Sequence, residues 1–341
     1  MIERRGVLSA GTWCVDFNKS IARWPSEDTS NEVFDIDRQG GGSGFNMALD
    51  LKRLDPAFPV EAMGVVGDDD LGRFLIAECD GRGVKRAGLL ALPGGATMSV
   101  DAFNVRESAR RTHFYHQGVA SAMNPDHFDL ASSEARILHL GLPGAHEAMD
   151  RPWRDAANGW VAVLRMARAA GLETNLELMT TSRAELAELG RQCLPHLDML
   201  IVNDFEIGAL AGRETRGGDG ATDVGAVRRA VDDLLARGPM RWVVAHFPEG
   251  AALAGRDGTR LAAGSVAMPA SAVAGANGAG DAFAAGMLYG LHERWPIEKA
   301  LRLAHASAAA SMRAVSTTAG VGAVAECMAL AEIHGFRPLD A

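Results

Sequence analysis

Apolar and polar positions follow two rhythms in this chain: short apolar runs alternate with longer segments whose apolar residues recur every three or four positions. The runs predict strands, and the longer segments predict amphipathic helices. Strands are predicted at 6–11, 60–66, 136–142, 173–178, 199–202 and 241–245. Helices are predicted at 45–54, 71–82, 153–170, 183–194, 224–237, 279–291, 297–313 and 323–334. The alternation predicts an α/β protein with a mainly parallel sheet covered by helices on both faces.

Two segments depart from that rhythm. Residues 16–40 are polar and irregular, with a predicted strand near 33–36, and residues 96–116 alternate with a period of two. A period of two is typical of a strand with one exposed face. We therefore expect a single domain over 1–341, in which about 16–40 and 96–118 leave the main sheet and form a small β lid.

Composition narrows the functional classes. The formal net charge of −9 argues against nucleic-acid binding, which needs a basic surface. The sequence has no run of about 18 apolar residues, so we expect no membrane span. The cysteines are scattered without metal-ligand spacing, and we interpret them as reduced thiols of a cytoplasmic protein: Cys14, Cys79, Cys193 and Cys327.

The strongest chemical signal is Gly278-Ala279-Gly280-Asp281, directly before an apolar run of helical spacing. The small side chains leave the backbone N–H groups of a helix N-terminus open to an anion such as phosphate. The Asp281 carboxylate then lies in the first turn, where it can act as a general base. Phosphoryl transfer to a hydroxyl requires this pairing, although a glycine-rich turn with an Asp that complements the helix dipole explains the same residues.

Two familiar nucleotide-binding motifs are absent from the sequence. None of the four lysines follows a glycine, which excludes a P-loop. The pair Gly42 and Gly44 is followed by Met47, where a dinucleotide fingerprint has Gly or Ala. A Rossmann dehydrogenase is therefore not expected.

Five motifs follow one another in a fixed order along the chain. Residues 41–48 fit GGxxxNxA, 203–206 fit NxxE, and 278–281 fit GAGD. Residues 64–72 fit GxVGxDxxG, and 11–16 form a strand start that ends in Asp16. From about 6 to about 320, their order and spacing resemble the ribokinase-like (PfkB) carbohydrate kinases, in which the first strand ends in a substrate-binding Asp. The resemblance implies a three-layer αβα sandwich with a mainly parallel central sheet, and a β lid over a cleft at the carboxyl ends of the strands.

The same resemblance assigns the reacting groups. Asp281 would take the proton of the substrate hydroxyl as it attacks the γ-phosphate of ATP. Gly278, Ala279 and Gly280 would form the anion hole for the transferring phosphoryl group. Hydrogen bonds to sugar hydroxyls are assigned to Asp16, Gly41, Gly42 and Asn46, although a buried Asn near a helix start is often only a cap.

The nucleotide side is assigned in the same way. Asn203 and Glu206 would hold Mg²⁺ and phosphate, largely through water, although they are also explained as the polar start of a surface helix. His246 is interpreted as structural or as a neighbour of the adenine, and Gly250 lies in the nucleotide loop. Helix 297–313, with His305, would form the wall on which adenine lies, although core packing explains its Ala/Leu pattern equally well.

Some family positions differ here. The family usually has Asp and Thr ahead of the anion hole, where they help to form a monovalent-cation site, and this chain has Gly275 and Ala276. The nucleotide loop at 245–250 is also altered. In the lid, Arg106, Arg110 and Arg111 are either phosphate ligands or a solvated charge cluster, and we favour the second interpretation.

The sequence thus predicts a Mg²⁺-dependent, ATP-using kinase for a hydroxyl of a sugar or sugar-like substrate. Two alternatives remain: a nucleoside kinase of the same fold, and a sugar- or nucleotide-binding protein with little turnover. Relatives often pair through the lid, so the resemblance also allows a homodimer. The retained Asp281 argues against the pure binding protein, which has no use for a base.

Overall fold

A central sheet of nine strands forms the body of the protein. The computed structural model describes residues 4–108 and 111–339. In chain order the strands are β1 (Val7–Gly11), β2 (Cys14–Ile21), β3 (Val33–Gly41), β4 (Val60–Gly67), β5 (Lys85–Leu92), β6 (Ser99–Val105), β7 (Arg111–His116), β8 (Ile137–Gly141), β9 (Glu173–Leu176), β10 (Met199–Asn203), β11 (Trp242–Phe247), β12 (Gly250–Gly255) and β13 (Arg260–Gly264).

The strand order places β1, the first strand of the chain, inside the sheet between β8 and β4. The order is β13-β12-β11-β10-β9-β8-β1-β4-β5, and pairing is parallel except at the β11-β12 and β12-β13 contacts. The carboxyl ends of β1, β8, β9 and β10 therefore open at one edge, where ligands of open α/β sheets bind.

A second sheet of four strands stands apart from the first. Its order is β3-β2-β6-β7, with β2 and β6 parallel and the outer pairs antiparallel. These strands fall within the two segments that depart from the main rhythm. The register sets Asp16 on β2 opposite Gln39 on β3, so both side chains lie on one face.

Helices cover both faces of the main sheet, as its buried strands require. One apolar cluster includes residues of α1, α2, α8, α9 and α10, and the other includes residues of α4, α5, α6 and α7. The bounds are α1 (Ser43–Leu54), α2 (Asp70–Gly81), α3 (Glu147–Asp150), α4 (Gly159–Ala169), α5 (Arg183–Cys193), α6 (Asp204–Ala211), α7 (Val224–Arg237), α8 (Ala279–His292), α9 (Ile297–Ser311) and α10 (Val324–His334).

The α8 and α9 helices pack closely through glycine. A Cβ atom on Gly290 would lie 2.5 Å from the Ala300 Cβ, and one on Gly286 would lie 2.8 Å from the Ser307 Oγ. Both distances are too short for a real side chain, so the two helices approach each other nearly backbone to backbone.

Some predicted boundaries are wrong. The helix predicted at 153–170 begins at Gly159, because Trp153 and Ala156 form an isolated bridge and Asn158 caps the helix. The helix predicted at 297–313 ends at Ser311. The prediction also omitted β5, β12, β13, α3 and α6.

Candidate active site

The N-terminus of α8 meets the open edge of the sheet. Gly278 caps this helix with φ 73°, a left-handed conformation in which a Cβ would lie 2.2 Å from the Thr317 carbonyl oxygen. No side chain in the described part of the chain caps α8. The N–H groups of its first turn have no partner within the helix, so the turn can bind an anion.

Asp281 lies in that first turn and faces α1. Its Oδ2 accepts a hydrogen bond from Asn46 Nδ2 at 3.2 Å. Burial, followed by the nearby charge of Glu177, raises the pKa of Asp281 well above its usual range. A carboxylate with a raised pKa is a stronger base than an exposed one, provided that it is ionised when the substrate arrives.

Asn46 connects the base to the second sheet. Its Oδ1 accepts from Thr317 Oγ1 at 3.0 Å, and the Thr317 N–H donates to Gln39 Oε1 at 3.3 Å. Asn46 lies inside α1, whose cap is Gly42, so its interpretation as a helix cap is wrong. The position of β3 is thereby linked to the orientation of Asp281.

The predicted substrate residues of the second sheet also lie here. Asp16 contacts Gly41 so closely that a Cβ on that glycine would lie 2.3 Å from Asp16 Oδ2. Cys14 Sγ lies 3.5 Å from the other carboxylate oxygen of Asp16. Asp16, Gly41, Gly42 and Asn46 thus surround the strand-to-helix turn beside Asp281.

A cavity of about 360 Å³ opens on the other side of the α8 N-terminus. Its size suits a mononucleotide. Four of the predicted nucleotide residues lie in its wall: Asn203, His246, Gly250 and His305. The predicted anion-hole residues Ala279 and Gly280 border it too, whereas Glu206 does not line it.

Two histidines flank Phe283 in this cavity. The ring of Phe283 lies 4.9 Å from that of His246 and 5.1 Å from that of His305. Burial lowers the pKa of both histidines to about 4, so both are neutral at pH 7. His305 donates to the Ala263 carbonyl, while its Nε2 has no partner among the residues described. In the neutral ring that nitrogen carries a lone pair and can accept from a ligand.

The N-terminus of α6 is closed by its own side chains. Asn203 Oδ1 accepts from the Glu206 N–H at 2.9 Å, and Glu206 Oε2 accepts from the Asn203 N–H at 3.0 Å. Thr180 Oγ1 donates to Glu206 Oε1 at 2.8 Å. Glu206 is 5% exposed, and burial raises its pKa to about 7. The interpretation as a surface helix is therefore wrong.

Several residues of the site escaped the sequence analysis. Glu177 follows β9, and its carboxyl group lies within hydrogen-bonding reach of Asp281. His139 Nε2 lies 2.8 Å from Glu177 Oε2. Asp50 is fully buried on α1, and neither carboxylate oxygen has a hydrogen-bond partner within 4–108 and 111–339. Polar residues in otherwise apolar strand and helix runs were the available signal.

Arg216 is a further residue of the cavity wall. It lies on an exposed loop and pairs with the buried Asp204 through two hydrogen bonds of 2.7 and 2.8 Å. Arg106 of the second sheet instead bonds Ser20 Oγ and stacks on Phe34. Arg110 lies outside the described residues, and the side chain of Arg111 does too.

The described part of the chain contains neither a preformed metal cluster nor a helix that could span a membrane. Among the described residues, no three His, Cys, Asp or Glu side chains are grouped to bind a metal directly. Within the same ranges, no helix is long and apolar enough to cross a bilayer.

Comparison with known proteins gives the family. Residues 6–322 match the pfkB family carbohydrate kinases. The chain is 29% identical over 305 residues to the ATP-dependent ribose-1-phosphate kinase of Halopiger xanaduensis, covering 89% of this chain and 90% of that protein. It is 24% identical over 333 residues to the 5-dehydro-2-deoxygluconokinase of Shouchella clausii, covering 96% and 95%.

The fold is similar to that of Arabidopsis thaliana ribokinase complexed with ribose and ATP. The TM-score is 0.76 at 20% identity, over 96% of this chain and 98% of that one. The expected three-layer sandwich is thus confirmed, and so is the expected family. This chain belongs to the pfkB family of carbohydrate kinases, which are phosphotransferases that act on hydroxyl groups.

Proposed function

We propose that this kinase transfers the γ-phosphate of ATP to a hydroxyl of an unphosphorylated sugar, with Asp281 as general base. The main support for this proposal is the position of the Asp281 carboxylate in the first turn of α8. No side chain in the described part of the protein caps the N-terminus of this helix. A base and an anion hole thereby share one helical turn.

The reaction then proceeds by in-line displacement. The substrate hydroxyl gives its proton to Asp281 while its oxygen forms a bond to the γ-phosphorus. The bond from that phosphorus to the β,γ-bridging oxygen breaks, and ADP leaves. The N–H groups at 278–280 stabilise the charge on the transferring group, and the proton later passes from Asp281 to water.

ATP fits the cavity beside α8. The base would lie near Phe283, between His246 and His305. The unpartnered His305 Nε2 would accept a hydrogen bond from an amino group such as that of adenine.

Asn203 and Glu206 would hold Mg²⁺ through water molecules. Each carboxylate oxygen of Glu206 already accepts one hydrogen bond, which leaves a lone pair for a metal-bound water but disfavours direct ligation. When bound with ATP, Mg²⁺ would neutralise charge on the phosphates.

The charge of the pocket favours an unphosphorylated substrate. Asp16, Glu177 and Asp281 are acidic, whereas a sugar phosphate would need fixed cations. The test is ADP release with ribose, ribose 1-phosphate, 5-dehydro-2-deoxygluconate and adenosine as acceptors. We expect a free sugar to have the highest kcat/KM. A clear preference for ribose 1-phosphate would reverse the substrate proposal, and one for adenosine would make the protein a nucleoside kinase.

Two copies of the chain would pair through the second sheet. More than half of the large exposed apolar side chains in the described ranges belong to this sheet and its loops, including Ile36 (60% exposed) and Phe114 (52%). Such a concentration marks an interaction surface. Sedimentation should show a dimer that Ile36→Asp dissociates. The control Ile333→Asp, at a 76% exposed position on α10, should leave it intact. A monomeric wild type would contradict this proposal.

A further inference from the structure

We propose that Glu177 is a positioning residue that shares one proton with Asp281, so that the two carboxyl groups act as a pair. The inference deepens the proposed function, because it rests on Asp281 as the base. Three features support it: the position of Glu177, the contacts on each carboxyl group, and the charge of the site.

The fold fixes Glu177 at the open edge of the sheet. Its N–H donates to the Leu140 carbonyl at 2.8 Å, which continues the pairing of β9 with β8. Space for its side chain comes from Gly141, where a Cβ would lie 3.2 Å from the Glu177 Cβ and 2.8 Å from Ser43 Oγ. The side chain is 19% exposed and reaches the carboxyl group of Asp281.

The carboxyl groups of the pair lie beside neutral side chains. Asn46 Nδ2 donates to Asp281. Asn175 Nδ2 lies 3.0 Å from His139 Nδ1, so this nitrogen accepts and the proton of the neutral ring is on Nε2. That Nε2 lies 2.8 Å from Glu177 Oε2, but the two atoms are not aligned for a hydrogen bond. Among the described residues, neither carboxyl group thus accepts a hydrogen bond from a cation that would hold it ionised, which favours a proton on the pair.

The surroundings also resist two full charges. Burial raises the pKa of Glu177 to about 7 and that of Asp281 well above its usual range. A pair with one proton carries a single negative charge, and it therefore repels the γ-phosphate less than two carboxylates would. Titratable or charged groups that face the pair or adjoin it are His139 on β8, Asp50 and Arg53 on α1, Glu206 on α6 and Cys14 on β2.

The shared proton gives the pair a defined cycle. In the reactive form the proton is on Glu177, which donates it in a hydrogen bond to one oxygen of Asp281. The other oxygen of Asp281 is then free to accept the substrate proton. When the O–P bond has formed and ADP has separated, both groups are protonated. One proton then leaves to water, and the pair again holds one.

The decisive experiment titrates the carboxyl groups of the substrate-free protein by NMR, with ¹³C-carboxyl Asp and Glu. Wild type should keep one protonated carboxyl of this pair at pH 7. In Glu177→Gln and in Asp281→Asn the remaining carboxyl should ionise at least about one pH unit lower. The control Glu188→Gln, on exposed α5 surface, should titrate as wild type does. Unchanged titration in both pair variants would overturn the proposal, whether or not any sugar is phosphorylated.

Kinetics separate positioning from simple structural support. Gln is close to Glu in shape and can donate to Asp281, so Glu177→Gln should lose the inflection of the pH profile that the shared proton causes and should lose less kcat than Glu177→Leu. Glu177→Leu cannot donate to Asp281, and its kcat should fall at least about 10-fold with KM for ATP unchanged. Equal losses in the two variants, or identical pH profiles for Glu177→Gln and wild type, would refute a shared proton.

Discussion

Two helix N-termini face the cleft, and they are capped in opposite ways. At α6, Asn203 and Glu206 form a reciprocal capping box, and Thr180 adds a further hydrogen bond. At α8, the cap is Gly278 in a left-handed conformation, without any side-chain cap among the described residues. Both turns carry a carboxylate, which is buried at Glu206 and half-buried at Asp281, but only that of Glu206 is held by the backbone of its own turn.

The difference separates structural from chemical use of the same residue type. A satisfied carboxylate at α6 stabilises the helix start by about 1 kcal/mol and presents little free bonding capacity. In the α8 turn the Ala279 N–H makes a long hydrogen bond of 3.4 Å to the Ala276 carbonyl, and the Asp281 side chain contacts Asn46 and Glu177 from other parts of the chain. In the proposed reaction, the α8 end is therefore the reactive one and the α6 end supports it.

The largest expected effect comes from Asp281→Asn. The shape is nearly unchanged and the hydrogen bond from Asn46 can remain, so folding and ATP binding should survive. Loss of the base should lower kcat by at least about 10²-fold. Turnover is measured by ADP release and ATP binding by calorimetry. A variant whose kcat stays within a few-fold of the wild-type value would show that α8 carries no base. The two helix N-termini would then not differ in chemical role.

Glu206→Gln tests the other helix. Gln preserves the capping box, so the free energy of unfolding should change by less than about 1 kcal/mol. The lost charge should weaken the water-mediated hold on Mg²⁺ and lower kcat about 10-fold, with a higher Mg²⁺ requirement. Unaltered kcat and Mg²⁺ dependence would assign α6 a structural role alone.

Asp50→Asn tests a buried carboxylate whose oxygens have no hydrogen-bond partner in the described part of the chain, in contrast to Glu206 at α6, which accepts two hydrogen bonds. Burial, then the charge of Asp281, raises the pKa of Asp50 well above its usual range, whereas the unfolded chain ionises near about 4. Stability of the wild type is thus lost as the pH rises toward the folded pKa, by about 1.4 kcal/mol per unit. Urea unfolding should show the variant more stable than wild type by at least about 1 kcal/mol at pH 8, with a smaller difference at pH 5. Equal differences at the two pH values would contradict the raised pKa.

The smallest effect is expected from potassium. Gly275 and Ala276 have no side-chain oxygen, and the N–H groups of residues 274 and 275 already donate to the Met312 carbonyl at 2.8 and 3.3 Å. We therefore expect these hydrogen bonds to hold the loop before α8 without a cation. Adding potassium to a tetramethylammonium buffer should change kcat by less than about 3-fold. A stimulation of about 10-fold, or about 1.4 kcal/mol of barrier, would reveal a cation site formed by carbonyl groups.

The contrast between α6 and α8 also shows what a sequence can predict. The GAGD turn was predictable, because small residues ahead of an apolar helical run act locally. The α6 helix was missing from the predicted elements, although Asn203 and Glu206 were considered as the polar start of a helix, since it is only eight residues long and follows β10 directly. Strand β12 was omitted because its residues, GAALAG, lack the branched side chains that indicate strands.

Contacts across the site were not predictable from local patterns. Glu177, His139 and Asp50 come from β9, β8 and α1, and nothing in their own segments says that they meet. Their proximity to Asp281 follows from strand order and from the packing of α1 beside α8, which only the folded chain supplies.

The close contact between α8 and α9 at Gly286 and Gly290, the glycine seam, has a consequence for redesign. A substitution such as Gly290→Val would push α8 away from Ala300 and so displace Asp281, nine positions back along the same helix. If the second sheet binds the sugar as proposed, we expect its loops to tolerate variation while the reaction centre keeps its position. Residues on the seam leave no such freedom, and libraries built for altered specificity should hold them fixed.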